Sequence, residues 1–161
     1  MRVAVAGTFG PLHDGHRTLL EHALRFGEDG VVVALTSDEL AVETRHDSRP
    51  IPSFEERTRA VTDAIGEIDE WDRDIEIRTL ETEYGIATDE PSIDALVVSP
   101  ETAPELEAIN GLRREQGFES LSGIVAPYVY ADDGDRISST RIVAGEIDEH
   151  GRVLESQRGS R

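Results

Sequence analysis

Gly7-Thr8-Phe9-Gly10-Pro11-Leu12-His13-Asp14-Gly15-His16 joins a short apolar run, Val3-Ala4-Val5-Ala6, to a stretch in which Leu19, Leu20, Ala23 and Leu24 recur at helical spacing. The join predicts a strand followed by a helix, with both histidines at the helix N-terminus and above the carboxyl end of the strand. The first N–H groups of a helix lack backbone partners, and the summed peptide dipoles put partial positive charge there, so a phosphate is the natural guest. Gly7 and Gly15 allow close backbone approach. Thr8 offers a hydroxyl, the imidazoles offer donors, and Asp14 is the expected N-cap.

Two common phosphate loops do not fit. Gly10 and Gly15 have the glycine spacing of a P-loop, but His16 stands where the lysine belongs and Arg17 replaces the hydroxyl residue that would hold magnesium. No G-x-G-x-x-G follows the strand, which removes the dinucleotide fingerprint.

Outward from this join, apolar runs alternate with helical patterns. Val31-Val32-Val33-Ala34-Leu35 reads as a parallel strand buried on both faces, with Thr36-Ser37-Asp38-Glu39 at its carboxyl end. Residues 41–52 carry Arg45, Arg49, Pro50 and Pro52 without periodicity and are expected to form a loop. Ser53-Phe54-Glu55-Glu56 is a capping box for a helix expected to bury Ala60, Val61, Ala64, Ile65 and Ile68, and the helix carries Arg57. Ile75-Glu76-Ile77-Arg78-Thr79 alternates, the pattern of a strand near the sheet edge.

A polar loop is expected over 81–92, and Ile93-Asp94-Ala95-Leu96-Val97-Val98-Ser99 is a second central strand, with Pro100-Glu101-Thr102 beyond it. A helix containing Leu106, Ile109, Asn110 and Leu112 stops at Gly117, and residues 123–130 read as a fifth strand, with Pro127 arguing for an edge or a bulge. This βαβ alternation implies a single α/β domain, a Rossmann-like doubly wound parallel five-stranded sheet with helices on both faces. Order 3-2-1-4-5 opens a crevice between the loops after strands 1 and 4. The domain is expected over 1–147, with 148–161 a charged, loose tail.

Composition narrows the setting. The 161 residues contain 34 Asp and Glu against 16 basic residues, a net charge of −18, and every basic residue is arginine. So acidic a surface repels nucleic acid, and no N-terminal apolar run is long enough for a membrane span. The absence of cysteine suits a cytoplasmic location. The acidity itself reads as salt adaptation, because molar salt screens crowded carboxylates.

The second chemical segment is Ile137-Ser138-Ser139-Thr140-Arg141, three consecutive hydroxyls and a guanidinium where a helix is expected to begin. Gly7-Thr8-Phe9-x-Pro11-x-His13-x-Gly15-His16 resembles the His-x-Gly-His signature of the nucleotidylyltransferase superfamily, and Ile-Ser-Ser-Thr resembles its second signature. Together with Thr36 to Leu40, Ser53 to Arg57, Val97 to Thr102 and Ile109-Asn110, the chain is similar to the archaeal type of pantetheine-phosphate adenylyltransferase over residues 2–147.

That resemblance implies transfer of AMP from ATP to 4′-phosphopantetheine, giving dephospho-coenzyme A and pyrophosphate by in-line attack without a covalent intermediate. It implies that Thr8 positions the attacking phosphate and that His16 binds the α-phosphoryl oxygens, completed by Gly7, Phe9, His13, Gly15 and the first-helix amides. Ser138, Ser139, Thr140 and Arg141 would take the outgoing phosphates. Mg²⁺ would arrive with ATP, held by phosphates and water rather than by direct protein ligands. Arg45, Arg49, Arg57, Ser99, Glu101 and Asn110 are candidates for substrate binding, and residues 81–92 for the pantetheine arm.

The chain departs from the family at Gly10, where an aspartate is usual, and in lacking the lysine that bacterial members carry after the second strand. Transfer to FMN or nicotinamide mononucleotide, cytidylyl transfer, and nucleotide binding without catalysis remain open at this point.

Overall fold

The computed structural model describes residues 1–44 and 50–154. Five parallel strands, β1 (Val3–Gly7), β2 (Val31–Thr36), β3 (Ile75–Leu80), β4 (Ala95–Val98) and β5 (Ser122–Val125), form one sheet in the order β3-β2-β1-β4-β5. This is the doubly wound arrangement expected from the alternation. The chain reverses direction between β1 and β4, which opens the crevice at their carboxyl ends.

Period-two alternation divides the strand residues between two cores. Val3, Val5, Val31, Val33 and Leu35 face Leu20, Ala23 and Leu24 of α1 (Asp14–Phe26) and Val61, Ala64 and Ile65 of α3 (Phe54–Ile68). Ala4, Val32, Ala34, Leu96 and Val98 face α2 (Asp38–Thr44), α4 (Gly85–Asp89) and α5 (Glu105–Glu115) through Leu40, Ile86, Ala87 and Ile109. β2 is buried along its whole length, whereas β3 alternates between half-buried and exposed from Ile75 to Arg78, as an edge strand should, before Leu80 is buried.

Several expectations are corrected. The loop expected over 41–52 begins as helix, because α2 turns directly off β2: the Ser37 hydroxyl accepts from Leu40 N–H, and Leu40 and Ala41 bury against the sheet. The expected loop over 81–92 contains α4, which buries Ile86 and Ala87. Its end is held by Arg113, whose buried guanidinium donates to the carbonyls of Ala87, Glu90 and Glu119. β5 ends at Val125 instead of running to 130. The Ala126 N–H still bonds to Val98, but Pro127 supplies no donor and the chain leaves the sheet.

The expected loose tail is packed as far as it is described. Ile147, wholly buried, pairs with Val153 in an antiparallel bridge, and both join Ala131, Ile137 and Ile142 in a third small core. Gly151 makes the turn with φ +83° and accepts from Asp132 N–H. This cluster seats α6 (Ser139–Val143), the helix of the second motif. Among the described residues, no helix is long and apolar enough to cross a membrane.

Candidate active site

Past Gly7 the chain must turn sharply to reach α1. Phe9 takes the left-handed φ of +55°, unusual for a bulky residue. It is held there by burial: the ring is 1% exposed, lies in the α1/α3 core, and sits 5.2 Å from the His16 ring. A cis Gly10–Pro11 peptide follows, and the loop delivers His13 to the start of α1.

His13, not Asp14, is the N-cap. Its Nδ1 accepts from Gly15 N–H at 3.0 Å, while its own N–H donates to His16 Nδ1 at 3.2 Å, so the two histidines form a reciprocal capping box. Their rings stack with centroids 3.8 Å apart. An imidazole whose Nδ1 accepts hydrogen bonds must, when neutral, carry its proton on Nε2. Both rings are thereby fixed as Nε2–H donors.

Amides at the start of α1 have partners within the protein. Asp14 N–H donates to Glu149 carbonyl at 3.0 Å, Gly15 N–H to the His13 ring, and Arg17 N–H to His13 carbonyl. The two imidazoles stand at the positive end of the helix dipole. Asp14 lies in the first turn and its carboxylate meets His150 Nδ1 at 3.0 Å.

The second motif reaches the first. Ser138 is the N-cap of α6, accepting from Arg141 N–H at 3.2 Å. Ser139, 8% exposed, donates its hydroxyl hydrogen to Pro11 carbonyl at 2.9 Å. Thr140 is exposed beside it.

Arg141, expected as a partner for leaving charge, is already neutralised. It donates to Asp133, to Glu146 at 3.0 Å and to Arg136 carbonyl at 3.2 Å. The pairing pulls the Asp133 carboxyl below the usual carboxylate range and raises the guanidinium.

A cavity of about 330 Å³ opens at the carboxyl ends of β1, β2 and β4, its lining including Thr8, Thr36, Leu40, Leu80, Tyr84 and Val98. Thr8 and Thr36 share a hydroxyl–hydroxyl bond of 3.1 Å. The cavity thus lies on the α2/α4/α5 side of the sheet, with the Thr8 loop between it and the imidazoles.

The remaining candidates separate. Arg57 is 1% exposed and donates only to protein groups, the carbonyls of Thr8, Thr36 and Pro52, Thr36 Oγ1 and Asp38; it builds the loop floor from beneath. Asn110 spends its amide on both backbone groups of Leu121, fixing the α5–β5 connection. The Ser99 hydroxyl is paired with Thr102 in the loop after β4. Glu101 pairs with Arg136 at 2.8 Å, joining that loop to the segment before α6. Arg45 and Arg49 lie outside the described residues.

Thr36, at the end of β2, is not among the candidate site residues read from the sequence, and neither is Arg136, which pairs with Glu101. A hydroxyl closing a buried parallel strand was the available signal for Thr36. Arg136, stacked 4.8 Å over the Tyr128 ring, carried none. Among the described residues, no group of three or more His, Asp or Glu is placed to hold a metal ion.

Comparison with known proteins agrees with this geometry. A sequence model of the cytidylyltransferase-like family matches residues 4–145. The chain is 45% identical to phosphopantetheine adenylyltransferase of Methanopyrus kandleri, covering 92% of this chain and 91% of that protein. It is 42% identical to the Methanosarcina barkeri protein of the same name, covering 94% and 92%. A crystal structure of an Archaeoglobus fulgidus protein of unknown function superposes with TM-score 0.68 at 30% identity, covering 78% of this chain and 89% of that one. With its two motifs in contact and relatives of one kind matching over almost their whole length, the chain belongs to the phosphopantetheine adenylyltransferases, within the cytidylyltransferase-like family.

Proposed function

We propose that the chain transfers AMP from ATP to 4′-phosphopantetheine, releasing pyrophosphate and forming dephospho-coenzyme A. The observation that carries this reading is the contact between Ser139 and Pro11, which gathers two imidazole N–H donors and the hydroxyl-rich start of α6 around one loop. An acceptor phosphate oxygen attacks the α-phosphorus of ATP, the new O–P bond forms, and the bond from the α-phosphorus to the bridging oxygen breaks. No proton need leave the nucleophile, so the protein's work is alignment and charge stabilisation.

Thr8 holds the acceptor phosphate at the crevice. His16 and His13 donate through Nε2–H to α-phosphoryl oxygens, and donors of this kind lower the barrier by about 3 kcal/mol each. Gly7, Phe9 and Gly15 shape the loop, while the hydroxyls of Ser138 and Thr140 and the backbone N–H of Ser139, whose own hydroxyl is given to Pro11 carbonyl, receive the departing phosphates. The cavity beside Thr8, walled by Leu40, Leu80, Tyr84 and Val98, has the apolar lining a pantetheine arm needs, in agreement with the arm lying along residues 81–92.

The hydroxyl and imidazole donors fit phosphate oxygens rather than a cation, so Mg²⁺ would arrive with ATP and would supply charge neutralisation when bound. The setting is the cytoplasm of a salt-adapted cell. The test is incubation with ATP or CTP and a panel of acceptors, namely 4′-phosphopantetheine, FMN and nicotinamide mononucleotide. Pyrophosphate release is followed and products are identified by mass. Product only from ATP and 4′-phosphopantetheine is expected; ATP binding without pyrophosphate release would overturn the proposal.

A further inference from the structure

We infer that Thr36 is a positioning residue, which with the buried cation of Arg57 fixes the direction of the Thr8 hydroxyl and passes positive polarisation to the acceptor side of the crevice. The inference rests on the reading of Thr8 given above.

The guanidinium of Arg57 can only donate. Its Nη1 reaches Thr8 carbonyl at 3.0 Å, Thr36 carbonyl at 2.9 Å and Thr36 Oγ1 at 3.2 Å, so one cation ties the loop after β1 to the end of β2. Because Thr36 Oγ1 accepts from this cation, its own hydrogen goes onward to Thr8 Oγ1 at 3.1 Å. Thr8 Oγ1 then accepts on its inner side, and its single hydrogen is left to point outward, into the cavity that both threonines line. A lone hydroxyl rotor would sample that orientation among others; here it is set before any ligand arrives.

Each bond also polarises the next, so the outermost O–H is a stronger donor than an isolated threonine. The arrangement brings cationic character to an anion's side of the site while the guanidinium itself stays 1% exposed. In a chain of net charge −18 without a single lysine, a buried arginine acting through two hydroxyls replaces an exposed cation.

The test is a double-mutant cycle on the full chain. T36V removes only Oγ1 from the relay and leaves Arg57 bonded to the carbonyls of Thr8, Thr36 and Pro52 and to Asp38; T36S keeps the hydroxyl. T36V should lower kcat/KM for 4′-phosphopantetheine about tenfold with KM for ATP unchanged, and T36S should restore it. On a T8V background the same T36V change should cost less than about twofold, since the group it orients is gone.

Calorimetric binding of 4′-phosphopantetheine without ATP should follow the same cycle. Wild-type values in T36V, or an equal loss with and without Thr8, would overturn the inference. A wild-type chain that binds the acceptor but releases no pyrophosphate would fault the transferase reading, leaving the relay to be judged by the binding cycle. One that binds no acceptor would overturn both.

Discussion

Ser139 Oγ lies 2.9 Å from the carbonyl oxygen of Pro11, a bond between residues 128 positions apart that couples α6 to the imidazole loop. Its loss in S139A leaves the Pro11 carbonyl without this donor, at a cost of about 1 kcal/mol. For a chain of this size that is a fall in Tm of about 2–4 °C, and pyrophosphate release should fall with it as the two motifs separate. T140A, altering an exposed side chain of the same helix, should leave Tm in place. Thermal melts of the two variants check this.

His16 has two separable duties. Its Nδ1 accepts from His13 N–H in the capping box, and its Nε2–H is the donor assigned to the α-phosphate. H16A loses both, with about 1 kcal/mol of stability and a hundredfold or more of turnover expected to go. H16N keeps an oxygen able to accept from His13 but lacks the distal donor. Its Tm should recover towards wild type while turnover does not; a variant that recovers both would reduce His16 to a cap.

The strands, their order and the location of both motifs were legible because they follow from local patterns. Val31 to Leu35 could only be a doubly buried strand, and the βαβ alternation left one common way to wind the sheet. What escaped was set by tertiary contact. His13 displaces Asp14 as N-cap because the imidazole can close a reciprocal pair with His16, and no spacing rule distinguishes that from a carboxylate cap. The 148–154 segment is charged and glycine-bearing, yet Ile147 and Val153 pair across it to complete a core that neither could build locally. Arg57 and Asn110 carried the chemistry of ligand-binding residues, and only the partners around them show where their hydrogen bonds go.

Gly10 follows from the same packing. A Cβ built there would stand 2.6 Å from Arg57 Cδ and 2.9 Å from Cγ, atoms in the middle of a side chain whose head is anchored by several bonds. The stem has no room to yield. G10D, which restores the carboxylate usual in the family, should therefore destabilise by about 1–3 kcal/mol through overpacking and lower activity instead of raising it. G10A should show most of the same loss of stability, because the conflict begins at Cβ; denaturant titration of the pair decides this.

Gly151 tests whether the C-terminal segment belongs to the domain. It has φ +83°, and an added Cβ would lie 2.8 Å from both Ala131 Cα and Ile137 Cδ1. G151A combines the left-handed penalty of about 1 kcal/mol with a clash against backbone that cannot move aside. We expect a loss of 2 kcal/mol or more, along with weaker protection of the Asp14 amide, whose partner is the carbonyl of Glu149. Hydrogen exchange measures the second effect directly.

The charge balance predicts how stability responds to salt. Ion pairs such as Arg59–Glu55 and Arg136–Glu101 are exposed and contribute little each, so screening them costs little. The excess of −18 has no partner within the chain, and its self-repulsion extends over the screening length. That length shrinks from about 10 Å at 0.1 M to about 3 Å at 1 M. Repulsion therefore loses more than attraction does, and Tm should climb by several degrees as KCl rises from 0.1 to about 2 M. Sucrose matched in osmolality carries no charge and should give a smaller rise. A Tm already maximal in dilute buffer would show that the acidic surface serves something other than salt adaptation.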